Sequence, residues 1–138
     1  MRVLSFRTTY LCAWLMWFGI LWWLSSGELP GPEDVPEIPF FDKVMHWGYF
    51  GIGSALSTMW VLMGNRLGRL TLWAMLGVLG LGMAVGALDE WHQSWCVYRS
   101  GNDLGDFLAD TVGTLSGCIV VSRLYPWLQS WGIISGRD

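Results

Sequence analysis

The sequence predicts an all-α fold: an integral membrane bundle of four helices, with both termini on the cytoplasmic side and a polar cluster at the outer helix ends. Three observations predict it. The chain is 53% hydrophobic and only 14% charged over 138 residues, with a mean hydropathy of +0.40, which places it in the membrane class. Four apolar runs, each near the length that crosses a bilayer, alternate with polar connections. The charges are segregated by sign along the chain. One domain over residues 1–138 is expected.

The first helix is expected over about 8–24, after a short basic start with Arg2 and Arg7. This run also imitates a signal peptide, with small residues Ser25, Ser26 and Gly27 behind it. An uncleaved helix is the better reading, because Trp22 and Trp23 suit interfacial anchors and the later helices need a partner. The loop from Gly27 to Phe41 follows. Its prolines Pro30, Pro32, Pro36 and Pro39 exclude a regular helix, and Glu28, Glu33, Asp34 and Glu37 keep it in water.

The second helix is expected over about 42–64, a tight basic turn NRLGR at Asn65–Arg69, and the third helix over about 70–88. A polar connection leads to the fourth, about 106–124, which Pro126 is expected to break or kink, leaving Trp127–Asp138 along the membrane surface.

Four alternating crossings put Arg2, Arg7, Arg66, Arg69, Arg123 and Arg137 on one side, six of the eight Lys and Arg, with Lys43 and Arg99 opposite. Ten of the eleven acids fall with Lys43 and Arg99. Basic loops stay in the cytoplasm, so the acidic side faces out. Trp22, Trp23, Trp47, Trp91 and Trp95 then form an outer aromatic belt, and Trp60, Trp73, Trp127 and Trp131 an inner one. Gly82 and Gly86 make one GxxxG pair, and Gly113 and Gly117 another. Such pairs let helix backbones approach in lipid, which favours the third and fourth helices as close neighbours.

The polar residues follow helical spacing. Asp42, His46 and Tyr49 are i, i+4, i+7 and share one face, with Lys43 beside them. Asp89 and Gln93 are four apart, with Glu90 adjacent. Asp106 and Asp110 are again i, i+4, and Thr114 continues their stripe. Alternation brings these three sets to one end of the bundle, where Arg99 can reach in. Plainer roles compete: Asp42 and Asp106 as helix N-caps, Lys43 and Arg99 as structural ion pairs, His46 as an ordinary interfacial histidine, His92 as a solvated loop residue. Asp110 is the hardest to reduce to structure, since an acid that deep must be paired, protonated or hydrated.

Several chemistries find little support. No basic patch interleaved with aromatics suggests nucleic acid. Glu90, His92, Asp106 and Asp110 could ligate a metal, but there is no HExxH and no cysteine pair, so neither a metal nor another cofactor is expected. No GxSxG elbow marks a serine nucleophile. Cys12 and Cys118 read as small buried hydrophobes and Cys96 as a free thiol, with no disulfide.

The segments DKVMHWGYFGIG, DEWHQ and Arg99-Ser100 followed by DFLADTVGTLSG resemble, in order, the D-K-x-x-H, D-E-x-x-Q and R-S…D-x-L-A-N-x-x-G-x-x-x-G motifs of the VanZ-like family. The resemblance covers roughly Asp42 to Gly117. It departs where Tyr49 follows His46 by three residues and where position 110 is Asp rather than the commoner Asn. It implies a small bacterial integral membrane protein of the inner membrane, of a family whose founding member is associated with teicoplanin resistance. It also implies functional roles for Asp42, Lys43, His46, Asp89, Glu90, Gln93, Arg99, Asp106 and Asp110.

Two functions compete at this stage. The first is an outward-facing site that binds or modifies an envelope molecule: a membrane lipid, a lipid-linked glycan or a peptidoglycan precursor, with an effect on glycopeptide susceptibility as its phenotype. His46, Asp89 and Glu90 would exchange protons; Asp42, Lys43, Tyr49, Gln93, Arg99, Asp106 and Asp110 would bind the ligand. The second is a non-enzymatic assembly or scaffold subunit whose polar cluster ties helix ends together. A proton-coupled carrier using Asp110 would need a homo-oligomer, because four helices leave little room for alternating access.

Overall fold

The computed structural model describes residues 6–27, 39–65, 68–97, 99 and 101–134. They form four helices, α1 Phe6–Ser25, α2 Phe41–Gly64, α3 Leu72–Gln93 and α4 Leu104–Ser130, with no strand among the described residues. Most of the expected acidic loop, the turn residues Arg66 and Leu67, Ser100 of the third motif, and Arg2, Arg137 and Asp138 at the termini lie outside the described residues.

Two helix ends differ from expectation. Hydropathy falls after Leu88, yet α3 continues to Gln93, because backbone hydrogen bonding does not require apolar side chains. That last turn carries Asp89, Glu90 and Gln93. At the other end, α4 runs through Pro126 to Ser130. A proline in a helix interior costs ~3 kcal/mol. Here Tyr125 is buried with Met59, Leu62 and Ile134, and Leu128 packs on the same cluster, so tertiary burial holds the turns beyond the proline. Trp127–Ser130 is therefore helix rather than a surface segment.

The helices pack with α2 central, most extensively against α4 and also against α1 and α3. One core centres on Trp17, Leu21, Phe50 and Val85. Trp17 stacks on Tyr49 and meets Phe50 edge-on. Helices α1 and α2 are also tied by a reciprocal pair: Trp17 Nε1 donates to the Tyr49 carbonyl at 3.0 Å, and the Tyr49 hydroxyl donates to the Trp17 carbonyl at 2.9 Å.

The two glycine pairs serve different interfaces. Gly82 and Gly86 on α3 face Thr114 and Asp110 of α4, as expected. Gly113 and Gly117 do not face α3. A Cβ at Gly113 would run into the Trp47 carbonyl, and one at Gly117 into the Gly51 carbonyl, so this pair seats α4 on α2. Small residues let backbones touch, but spacing alone does not name the partner.

The outer surface is apolar. Leu15, Met16, Ile52, Leu108, Val112 and Val120 are exposed along the helix shafts. Trp23, Trp47, Trp91 and Trp95 are exposed towards one end, and Trp73, Trp127 and Trp131 towards the other. Cys12 is exposed on α1 rather than buried, while Cys118 is buried. α3 and α4 are long and apolar enough to cross a membrane, with only 22% and 33% of their apolar windows buried inside the protein.

Candidate functional site

The C-terminal ends of α1 and α3 and the N-terminal ends of α2 and α4 meet. Ser25 at the end of α1 donates its hydroxyl to Asp89 Oδ1 of α3 at 2.5 Å. Lys43 of α2 bridges Asp103 and Asp106 at the start of α4, at 2.7 and 2.8 Å, and its neighbour Asp42 at 3.0 Å. His46, one turn further along α2, places Nδ1 2.9 Å from Asp110 Oδ1. Its Nε2 is 3.9 Å from Asp106 Oδ1, beyond hydrogen-bonding range. The expected convergence of Lys43, His46, Asp89, Glu90, Gln93, Asp106 and Asp110 is thus present in the geometry.

Four of these acids are buried: Asp89, Glu90, Asp106 and Asp110 are 1%, 5%, 7% and 0% exposed. Each is positioned by its helix. Gln93, one turn after Asp89, donates to Asp89 Oδ2 at 2.8 Å. Glu90 Oε2 accepts the Asp103 backbone N–H at 2.7 Å, and the Glu90 carbonyl accepts the Asn102 N–H at 3.3 Å. Glu90 therefore fastens the α3–α4 connection to the end of α3. Its Oε1 and Asp110 Oδ2 are buried with no hydrogen-bond partner among the described residues. Thr58 Oγ1, His92 Nδ1 and Thr114 Oγ1 likewise lack one, although buried polar atoms are nearly always satisfied.

Neither Asp42 nor Asp106, the two capping alternatives, acts as an N-cap. α2 starts after Phe40, in the left-handed region with φ 62 and no side-chain cap; Asp42 lies in the first turn, exposed, against Lys43. α4 is capped by Asp103, whose Oδ1 accepts from Gly105 N at 2.6 Å, while Asp106 lies inside the first turn. The Lys43 ammonium, and then the Gly105 N–H, hold the Asp103 carboxyl below the ordinary carboxylate range. Sequence reasoning passed over Asp103 and Ser25. Asp103 had a signal, a good capping residue directly before an apolar helix; a lone serine at a helix end had none.

Arg99 does not meet an acid among the described residues. It donates from Nη2 to the Leu24 carbonyl at 2.8 Å and from Nε to the Gly27 carbonyl at 3.2 Å. A basic side chain on the last carbonyls of a helix satisfies groups that have no intrahelical partner. Tyr49 spends its hydroxyl on α1. His92 is not a solvated loop residue: it lies on α3 and stacks on Trp22, with centroids 3.9 Å apart.

A cavity of about 170 Å³ opens beside the cluster. Leu21, Leu24, Met45 and Phe50 give it apolar walls, and Ser25, His46, Tyr49, Asp89, Gln93 and Arg99 line it as well. It is near the size of engineered cavities that take one small ring, about 150 Å³, and below the range of about 300–1,000 Å³ that encloses a drug-sized ligand. It has room for one end of a larger molecule. His46, Asp89 and Glu90 each offer a donor atom within 4.8 Å of the others, a spacing that a bound cation could draw together. Comparison with protein-family models, with curated proteins and with solved structures finds no match to this chain.

Proposed function

We propose that this chain is a multi-pass protein of the bacterial cytoplasmic membrane that binds or modifies an envelope molecule at an outward-facing polar site. The ligand class is a membrane lipid, a lipid-linked glycan or a peptidoglycan precursor. The observation that carries this reading is the cavity with apolar walls that opens onto His46, Asp89 and Gln93, beside three further buried acids, Glu90, Asp106 and Asp110. An amphiphile would place its head by these groups and leave its apolar part against the exposed helix surface. His46, Asp89 and Glu90 are the groups for proton exchange, and Lys43, Gln93 and Asp106 would fix the head group. The resemblance to the VanZ-like family belongs to this proposal and supports an envelope role, including an effect on glycopeptide susceptibility.

The test is twofold. The detergent-purified protein is analysed by mass spectrometry for a co-purified lipid or lipid-linked glycan. His46→Ala and Glu90→Ala are then compared with wild type for that molecule and for an envelope phenotype. Loss of both at normal protein level supports the reading. Full phenotype and unchanged lipid content in both variants refute it.

One set of contacts favours a second reading, a non-enzymatic scaffold. Arg99 on the α1 carbonyls, Lys43 among three carboxylates and Ser25 on Asp89 all tie one helix end to another. On that reading the same substitutions lower the melting temperature in detergent and change no ligand content.

A further inference from the structure

We infer that His46, Asp89 and Glu90 hold a divalent transition-metal ion. Their donor atoms come from two helices, α2 and the last turn of α3, and lie within 4.8 Å of one another. Donors about 2.1 Å from a common ion lie ~3.4 Å apart in a tetrahedron and no more than ~4.2 Å apart in any arrangement. Separations of up to 4.8 Å would therefore shorten by about 0.6–1.4 Å on binding.

The imidazole is already arranged as a metal ligand is. A ligating histidine gives its second ring N–H to a carboxylate, which fixes the tautomer and the ring plane. His46 Nδ1 has that partner, Asp110 Oδ1 at 2.9 Å, so in the neutral ring Nε2 carries the lone pair. Asp89 is held from both sides, by Ser25 and Gln93, and each of its oxygens keeps a lone pair. Glu90 is 5% exposed, and its Oε1 has no hydrogen-bond partner among the described residues. A buried carboxylate oxygen without a donor is the acceptor that a cation would satisfy.

Charge balance points the same way. Asp89, Glu90, Asp106 and Asp110 are buried together, and the ammonium among them, Lys43, is shared with Asp42 and Asp103. Arg99 is engaged with backbone carbonyls. Clustered buried acids require protons or a cation. The donor set, one imidazole and two carboxylates, suits Zn²⁺ or Mn²⁺ better than Mg²⁺ or Ca²⁺, which prefer oxygen alone. Three protein ligands would leave room in the coordination shell for a further ligand, and two of them, His46 and Asp89, line the cavity. With an ion bound, the proposed site is recast: His46, Asp89 and Glu90 are the ion's ligands rather than the groups that exchange protons, whichever envelope molecule the site takes.

The experiment is isothermal titration of Zn²⁺ into the full chain in detergent after chelator treatment, repeated with Mg²⁺. The expected result is one Zn²⁺ per chain, at least tenfold weaker in His46→Gln and in Glu90→Gln, and unchanged in the acidic-loop double variant Glu33→Gln, Asp34→Asn. Asp89→Asn is read in the same way should either site variant fail to fold. Absence of Zn²⁺ binding by the wild-type chain, or binding indifferent to the site variants but lost with the loop acids, overturns the inference. A co-purified envelope lipid without Zn²⁺ affinity would overturn it while leaving the proposed function standing.

Discussion

His46 on α2 and Asp110 on α4 share a hydrogen bond of 2.9 Å, and Asp110 is 0% exposed. The contact joins residues 64 apart in the chain and is part of the α2–α4 interface, with His46 also lining the cavity. Removing one partner leaves the other without this hydrogen bond, a change that costs about 1–3 kcal/mol and more where the group left behind is charged. His46→Gln and Asp110→Asn are each expected to destabilise the protein by a few kcal/mol. The double variant should lose less than the sum, with a coupling of about 1–3 kcal/mol. Thermal unfolding of the four proteins in one detergent measures this; strict additivity would show that the pair is not coupled.

Gly117 seats α4 on α2 by backbone contact, since a Cβ there would meet the Gly51 carbonyl and lie close to the Ala55 amide nitrogen. Backbone cannot step aside as the end of a flexible side chain can. Gly117→Ala should therefore destabilise by about 1–3 kcal/mol, the usual cost of overpacking. Gly48, with open space where its Cβ would be, is the control: Gly48→Ala should be neutral or stabilising, by up to ~1 kcal/mol. Equal melting temperatures for the two variants would contradict the close α2–α4 contact.

Arg99 distinguishes a structural tie from a ligand contact. Its two hydrogen bonds close the carbonyl end of α1, and bonds from a charged donor contribute about 1.5–3 kcal/mol. Arg99→Ala should lower stability by that order, and Arg99→Lys should recover part of it, because an ammonium replaces the guanidinium fork poorly. An Arg99→Ala protein with wild-type stability but lost ligand would show that Arg99 serves the ligand instead.

Asp103 gives a pH signature. Its folded pKa is lowered, mainly by Lys43, from an ordinary value of about 4. A depressed acid stabilises the folded state above its unfolded pKa and loses that contribution as pH falls through the folded value. Asp103→Asn keeps an oxygen for the Gly105 N–H and removes the charge. The difference in melting temperature between wild type and Asp103→Asn should be flat from about pH 7 to 5 and shrink below about pH 4. A difference that grows on acidification would contradict the Lys43–Asp103 pair.

Local spacing made much of the site legible. Asp106 and Asp110, and Asp89 and Gln93, fall four apart, and the helical period alone places each pair on one face. Alternation of apolar runs then brings the faces to one end. What depends on a distant partner was not legible. Ser25 gains its role from Asp89, 64 residues away. Arg99 ends on main-chain carbonyls, which no side-chain pattern displays. Gly113 and Gly117 announced a close contact without naming α2 as its partner. The passage of α4 through Pro126 depends on the burial of Tyr125 against α2, where packing outweighs a local penalty. The end of α3 was missed because hydropathy marks where apolar side chains stop, whereas the helix continues through the polar residues that form the site.

The central claim is that the polar cluster opens on the extracytoplasmic side of a membrane, and side-specific labelling of a single cysteine tests it most directly. With Cys12, Cys96 and Cys118 replaced, one cysteine is placed at Asn102, exposed beside the cluster, or at Arg69, exposed at the opposite end. A membrane-impermeant maleimide should label position 102 in intact cells and position 69 only after permeabilisation. Labelling of position 69 in intact cells, with position 102 protected until lysis, would contradict the account.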